Sequence, residues 1–326
     1  CRKFWPKRLR GVWAVFMGAL YGPCAPKCTH SGCGASCARG GQEHAQQSRT
    51  SRAAAAILPP VIHELPDVRM TLSHYATLID TMARLSLKAD ASRYFFGYIW
   101  WVLEPLLYVL VFYVVFELIL QNRKEDFVVF LMCGQLAFVW FSKSLNQASR
   151  SILGSKGLVG RVDIPKSLFP LATIQEGLYK QAAVFLLLFV VLFAKGYTPS
   201  LVWGWLLPVM LVNYLLIVAC SLFAAYLVCW VFDFHVFISM ATIFLMFTSG
   251  VFWDPRDLDP AMTHWVLTLN PLAFLLDAYR QIMLADIAPN AVHLAIVGGI
   301  ALLVALAGLF LLRRHSRFIA LRVITS

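Results

Sequence analysis

The chain has 326 residues, of which 60% are hydrophobic and only 14% are charged, and its mean hydropathy is +0.70. Soluble domains devote roughly a quarter of their residues to Asp, Glu, Lys and Arg, so the composition excludes an ordinary soluble enzyme and implies a polytopic membrane protein. The net charge of +11 does not argue for nucleic acid: ten Lys/Arg face three Asp/Glu before Met70, whereas 18 face 14 from Met70 onward, a modest excess that loop orientation in a membrane already requires.

Residues 1–69 begin with Cys, run through biased Pro, Gly, Ser, Arg and Ala tracts and hold no sustained helical or strand period. They read as a disordered or non-native N-terminal extension, with the functional protein expected to start at Met70. Gly11 to Tyr21 is apolar behind a basic start but too short to span. Cys24, Cys28, Cys33 and Cys37 are more widely spaced than the C-x2-C pairs of most zinc fingers. No metal or cofactor is expected. Cys133, Cys220 and Cys229 fall singly in apolar runs, as small buried hydrophobes do.

From Met70 the text is organised. Leu72, Tyr75, Leu78, Ile79, Met82 and Leu85 recur at three- and four-residue steps among Asp80, Arg84 and Lys88, which predicts an amphipathic helix on the inner membrane face or packed on protein. Tyr94 to Leu120 is a nearly unbroken apolar run whose charged members are Glu104 and Glu117. As a helix it would reach about 40 Å, more than a bilayer core of about 30 Å needs. Its aromatic entrance suits the headgroup level, and Arg84, Lys88 and Arg93 before it suit a cytoplasmic flank. Pro105 is expected to kink this span, and Glu104 to line a pathway, contact a second copy or lock the packing as a paired carboxylate.

A short outer turn at Gln121 to Asp126 leads to a second span from Phe127. Lys143, Arg150, Lys156, Arg161, Lys166 and Lys180 against Asp163 and Glu176 then predict a long basic cytoplasmic loop. Further spans are expected at about 181–194, 201–231, 236–252 and 291–312, with Arg313, Arg314, Arg317 and Arg322 closing the chain on the inside. Between the last two, Trp253 to Asn290 holds five Asp against two Arg, and four prolines punctuate it. One or two short helices that dip into, or lie on, the outer interface are expected there. The predicted fold is an all-α membrane protein with six transmembrane helices, an N-terminal amphipathic interfacial helix, and short re-entrant or interfacial helices before the last span. Both termini are cytoplasmic.

No G-x-x-x-x-G-K-[ST] loop occurs, so no nucleotide site is expected in this chain. H-E-x-x-H and G-x-S-x-G are absent too, and Asp254, Asp257 and Asp259 are the only carboxylate cluster, flanked by prolines and apolar residues. Trp100, Trp101, Trp140, Trp203, Trp205, Trp253 and Trp265 lie near predicted boundaries, as interfacial belts do. The belt is the first reading, and an aromatic face would also suit a sliding glycan.

Five stretches, in order, resemble the permease subunit of the ABC type-2 exporters of bacterial polysaccharide. They are RYFFGYIWWVLEPLL (Arg93 to Leu107), GQLAFVWFS (Gly134 to Ser142), GLVGRVDIPKSLFPL (Gly157 to Leu171), SGVFW (Ser249 to Trp253) and NPLAFLLDAYR (Asn270 to Arg280). The resemblance covers Met70 to Ser326. Gly160 stands where a second basic residue is common, and Phe232 precedes Asp233 where Arg is common. The resemblance implies a homodimer with two copies of a separate ATP-binding subunit in the bacterial inner membrane, exporting a lipid-linked O-antigen or capsule glycan. It implies an ATPase-coupling loop at Gly157, Leu158, Val159, Arg161, Pro165 and Lys166, and a path or dimer contact at Tyr98, Trp100, Trp101, Glu104 and Pro105. The outer gate would include Trp253, Asn270, Pro271, Tyr279 and Arg280. An exporter of a drug, lipid or teichoic acid, a membrane-embedded enzyme acting on lipid-linked sugars, and a passive channel are the alternatives.

Overall fold

The computed structural model describes residues 71–93, 95–115, 127–159 and 164–325. The N-terminal extension, Glu117, the turn at 121–126, and Gly160, Arg161 and Asp163 therefore lie outside the described residues. The described residues form helices and no strand: α1 (Leu72–Arg93), α2 (Trp100–Tyr113), α3 (Phe127–Gly154), α4 (Lys156–Val159), α5 (Leu168–Ala194), α6 (Leu206–Trp230), α7 (Phe234–Thr248), α8 (Pro260–Leu269), α9 (Pro271–Met283), α10 (Ala291–Arg314) and α11 (Ser316–Thr325). Short 3-10 turns precede α2, α6 and α8.

Four stretches are long and apolar enough to cross a bilayer: Phe127–Gly154, Leu168–Ala194, Leu201–Trp230 and Ala291–Arg314. A fifth is the pair Ser73–Arg93 and Gly97–Val111, if its two arms count as one broken span. The arms meet at 101°. Gly97 has φ of +52°, a left-handed conformation that costs glycine little, and it places the turn before α2 rather than at Pro105. Pro105 lies buried inside α2, and the helix continues past it. The aromatic entrance is thus an elbow, with Phe95, Phe96 and Tyr98 exposed on its outside. α7, at 15 residues, reaches only about 22 Å.

α3 is the axis of the bundle and packs on α5, α6, α9, α7 and α2. The expected long basic loop is therefore mostly helix: Lys143 and Arg150 ride on α3 and Lys180 on α5, leaving a link of 155–167 that contains the single turn α4. Several polar side chains along α3 have partners close by, so they do not end it. Asn146 donates to Ser142 O at 2.8 Å within the helix and accepts from Ser239 Oγ of α7 at 2.9 Å.

α10 meets α6 through Leu294, Val297, Ala301, Ala305, Gly308 and Leu312, a stripe at three- and four-residue steps. A Cβ at Gly308 would lie 3.0 Å from Leu222 Cβ. In lipid, where apolar burial gives little preference for helix contact, small residues hold helices together by allowing such close approach. α1 packs on α5, with Ala83 and Ala91 buried and the Tyr75 hydroxyl 2.9 Å from Ser167 Oγ.

Contacts fix two ends of the bundle. At one, Ser200 Oγ donates to Asp286, and Arg280 reaches both Phe130 and Gly250. At the other, α4 packs on α11, and Tyr226 and Trp230 of α6 lie against His315 and Phe318. The first end carries Asp254, Asp257 and Asp259, and the second carries Arg150, Lys156, Arg313 and Arg314.

Candidate functional site

At the waist of the bundle, where the elbow of α1 and α2 meets α3 and α5, lies a cavity of about 230 Å³. Trp100, Trp101, Glu104 and Pro105 form one wall and Trp140, Lys143, Lys180 and Gln181 the other. Lys143 Nζ is 2.5 Å from Glu104 Oε2. Lys180 Nζ is 2.6 Å from both Asp90 Oδ2 and Glu176 Oε1, and 5.6 Å from the Trp101 ring centroid. Ser86 Oγ of α1 donates to the other Glu176 oxygen at 2.6 Å. Two ammonium groups thus tie the elbow to α3 and α5. Four of the five predicted path residues line this cavity, and Tyr98 instead stacks edge-on against Trp101 at 4.9 Å, exposed. Glu104 is both a wall residue and half of an ion pair.

Sequence reasoning missed Asp90, Lys143 and Lys180 as wall residues and offered Trp140 only as one of seven boundary tryptophans. Trp140 is 3% exposed within α3 rather than at a boundary, and its Nε1 is buried with no hydrogen-bond partner among the described residues. The available signal was a lysine inside a helix-forming apolar stretch, which in a membrane needs a carboxylate partner from another helix.

At the acidic end, eleven of the thirteen residues of α9 are buried, and the helix packs on α3 and α6. Asn270 caps it, accepting from Leu272 N at 3.1 Å and Ala273 N at 3.2 Å and donating to Ser249 Oγ at 2.9 Å, with Pro271 at the first helical position. Arg280 is 5% exposed. It donates to Gly250 O (2.6 Å), Val251 O (2.8 Å) and Phe130 O (3.3 Å), and its guanidinium lies 3.7 Å from the Phe130 ring centroid. Gly134 of α3 is the residue that makes room, because a Cβ there would sit 2.2 Å from Arg280 Nη2. Tyr279 is fully buried beside Asn213 of α6. Asp277 accepts from Arg256 at 3.1 and 3.2 Å and from Gln281 at 2.6 Å. Hydrogen bonding to Asp277 raises the Arg256 guanidinium above its ordinary value, and burial opposes that shift.

Trp253 donates from Nε1 to Phe247 O at 2.8 Å, and Asp254 caps the following 3-10 turn through Arg256 N. α8, by contrast, buries nothing and leaves Met262, Trp265 and Leu269 exposed. The segment before the last long helix therefore has one inserted helix and one surface helix. Trp253, Asn270, Pro271, Tyr279 and Arg280 all belong to this corner.

At the basic end, Gly157 and Leu158 are exposed on α4 while Val159 is buried, α4 resting on α11. Pro165 is half-buried and Lys166 buried. Arg161 lies outside the described residues.

Apolar helices long enough to cross a bilayer, a charged and aromatic cavity at their waist, an inserted helix at one end and a cationic rim at the other define a multi-pass membrane protein of the transport class. The ABC-2 type transporter family profile matches residues 77–284, and the chain belongs to that family. It is the membrane subunit of a transporter. Similar proteins include two O-antigen export system permease proteins RfbA of Klebsiella pneumoniae, 25% and 23% identical over 219 residues that make up 67% of this chain and 84% of each relative. A third, the O-antigen export system permease protein RfbA of Myxococcus xanthus, is 25% identical over 249 residues, 75% of this chain and 95% of the relative.

Proposed function

We propose that this chain is the permease subunit of an ATP-driven exporter that moves lipid-linked polysaccharide, of the O-antigen or capsule kind, across the bacterial inner membrane. The observation that carries the reading is that relatives aligned over most of this chain are named O-antigen export permeases. Two copies pair with two copies of a separate ATP-binding subunit. Residues 70–326 are the transport domain, and all described residues fall in one compact unit, Arg69–Ser326. Six crossings result if the stretch from Tyr94 and the short α7 both cross, with α1 at the inner interface. Both termini and the basic end then face the cytoplasm, in keeping with the positive-inside rule.

In this reading the waist cavity lies beside the glycan path. A glycan presents hydroxyls and C–H faces, and the unpartnered Trp140 Nε1 and the rings of Trp100 and Trp101 suit both. The link from 155 to 167, with Gly157 and Leu158 exposed, docks on the ATP-binding subunit. The corner built on α9 is the outer gate.

Deleting the gene is expected to leave polymer inside the cell on its polyprenyl diphosphate carrier, read by fractionation and blotting with a glycan-specific serum. Polymer still reaching the surface overturns the export reading, and loss of a drug or teichoic acid phenotype instead reassigns the cargo. Arg161→Glu is expected to lower co-purification of the ATP-binding subunit severalfold with the permease still monodisperse. An unchanged pull-down removes this link from the docking surface.

A further inference from the structure

Where the basic end meets the bundle wall there is a second cavity, of about 750 Å³, apart from the waist cavity and the outer corner, and it shares only Lys156 with the 155–167 link. Three cations from three separate elements line it: Arg150 near the end of α3, Lys156 at the start of α4 and Arg322 on α11. Asp233, in the turn between α6 and α7, is the one acid on its wall among the described residues. Charges that only orient a membrane protein need no particular neighbours. Here positions 150, 156 and 322 are brought to one concavity by the packing of α11 on α4 and α6.

The remaining wall is chiefly apolar, with Leu153, Val228 and Trp230. Trp230 is held against Phe318 of α11 with ring centroids 4.9 Å apart. On the same wall Trp230 is 38% and Phe232 57% exposed. Tryptophans at helix ends sit at headgroup depth, and Trp230 is the last residue of α6, so the cavity opens where lipid phosphates lie. Arg150 is free to turn toward it, since its Nε makes only a long 3.4 Å bond to Asn146 O.

We infer that this cavity binds the phosphate headgroup of an anionic lipid, with Arg150, Lys156 and Arg322 on the phosphate and Leu153, Val228 and Trp230 against the start of the acyl or prenyl chain. Basic pockets between helices at the membrane surface take anionic headgroups for this reason: several cations share one phosphate at the edge of a low-dielectric medium. The inference holds for either leaflet and for any cargo, so it stands or falls separately from the export reading. The phosphate can come from a bilayer phospholipid or from a lipid-linked diphosphate.

The test is native mass spectrometry of the purified full chain, titrated separately with phosphatidylglycerol, a polyprenyl diphosphate and zwitterionic phosphatidylcholine. Phosphatidylglycerol or the diphosphate is expected to be retained in preference to phosphatidylcholine. The double substitution Arg150→Gln, Arg322→Gln is expected to weaken that retention about tenfold or more. Arg150→Lys with Arg322→Lys keeps most of it, and Arg84→Gln, on the exposed face of α1, changes nothing. If the double variant elutes aggregated, each single Gln substitution gives the same reading at smaller amplitude. Loss of both lipids assigns a general lipid-phosphate site, and loss of the diphosphate alone assigns a cargo headgroup site. Parental retention of both lipids by the Gln variants overturns the inference, as does equal binding of phosphatidylcholine. So does a Gln variant that keeps its lipids but sheds the ATP-binding subunit, which makes the groove a protein-docking face.

Discussion

Arg280 and Lys143 are both cations carried on the helices of an apolar bundle, and the chain treats them in opposite ways. Arg280 is enclosed by three backbone carbonyls and an aromatic face, in space that a side chain at Gly134 would fill. Lys143 meets Glu104 across a cavity, with the two side chains 39% and 34% exposed, on an elbow that turns through 101°. The first arrangement has one geometry: any movement of α9 against α3 strips donors from carbonyls that cannot find others. The second can open, because both charged groups are already partly exposed at the cavity. A rigid corner at one end and a loosely held elbow at the waist are what a transporter needs if one part is to keep its shape while another is displaced.

The largest effect expected on this contrast is from Arg280→Ala. It leaves Gly250, Val251 and Phe130 carbonyls without their donor and a void beside Gly134. The cost is about 3–5 kcal/mol. Melting in detergent should fall by on the order of 10 °C. A variant that melts with the parent would show that the corner is held by something else.

Gly134→Ala approaches the same corner from the other helix. Its new Cβ would lie 2.2 Å from Nη2 and 2.9 Å from Cζ of Arg280, a side chain pinned by its carbonyls, so the clash costs about 1–3 kcal/mol. The sharper measurement is the double variant. With Arg280 already Ala the methyl group meets open space, so the two effects should add to clearly less than their sum in a melting cycle. Additive losses would mean that Gly134 serves some purpose other than room for the guanidinium.

The same contrast explains what could be read from the sequence. Long apolar stretches located α3, α5, α6 and α10, because burial in lipid leaves a one-dimensional signal in composition. The start of α9 was legible as well, since Asn270 followed by Pro271 is local cap chemistry. The elbow was not. Tyr94 to Trp101 is as apolar as the helix after it, and one left-handed glycine turns the chain through about a right angle without altering hydropathy. Nor were Lys143 and Lys180 legible as wall residues. They read as loop cations because they interrupt apolar runs, and although Glu176 is a local partner of Lys180, the carboxylates that tie them to the elbow, Glu104 on α2 and Asp90 on α1, lie some 40 and 90 positions away along the chain. The corner's room for Arg280 was equally hidden: Gly134 is one glycine in a stretch whose neighbours are all helix formers.

Glu104→Gln should have the smallest effect on stability and the larger one on transport. The pair is partly exposed, so its net worth is of the order of 0–1 kcal/mol, and melting should shift by no more than about 3 °C. If the ion pair latches the elbow, its loss changes how readily α1 and α2 part from α3, and surface polymer measured per unit of permease changes while the protein level does not. Exchanging the charges, Glu104→Lys with Lys143→Glu, restores an attraction across the same gap and should bring transport back toward the parent, where either single charge reversal places like charges together. A swap that is no better than the single reversals would mean that Glu104 acts on the cargo itself rather than through Lys143, because only then would the identity of the carboxylate matter more than the sign of its partner.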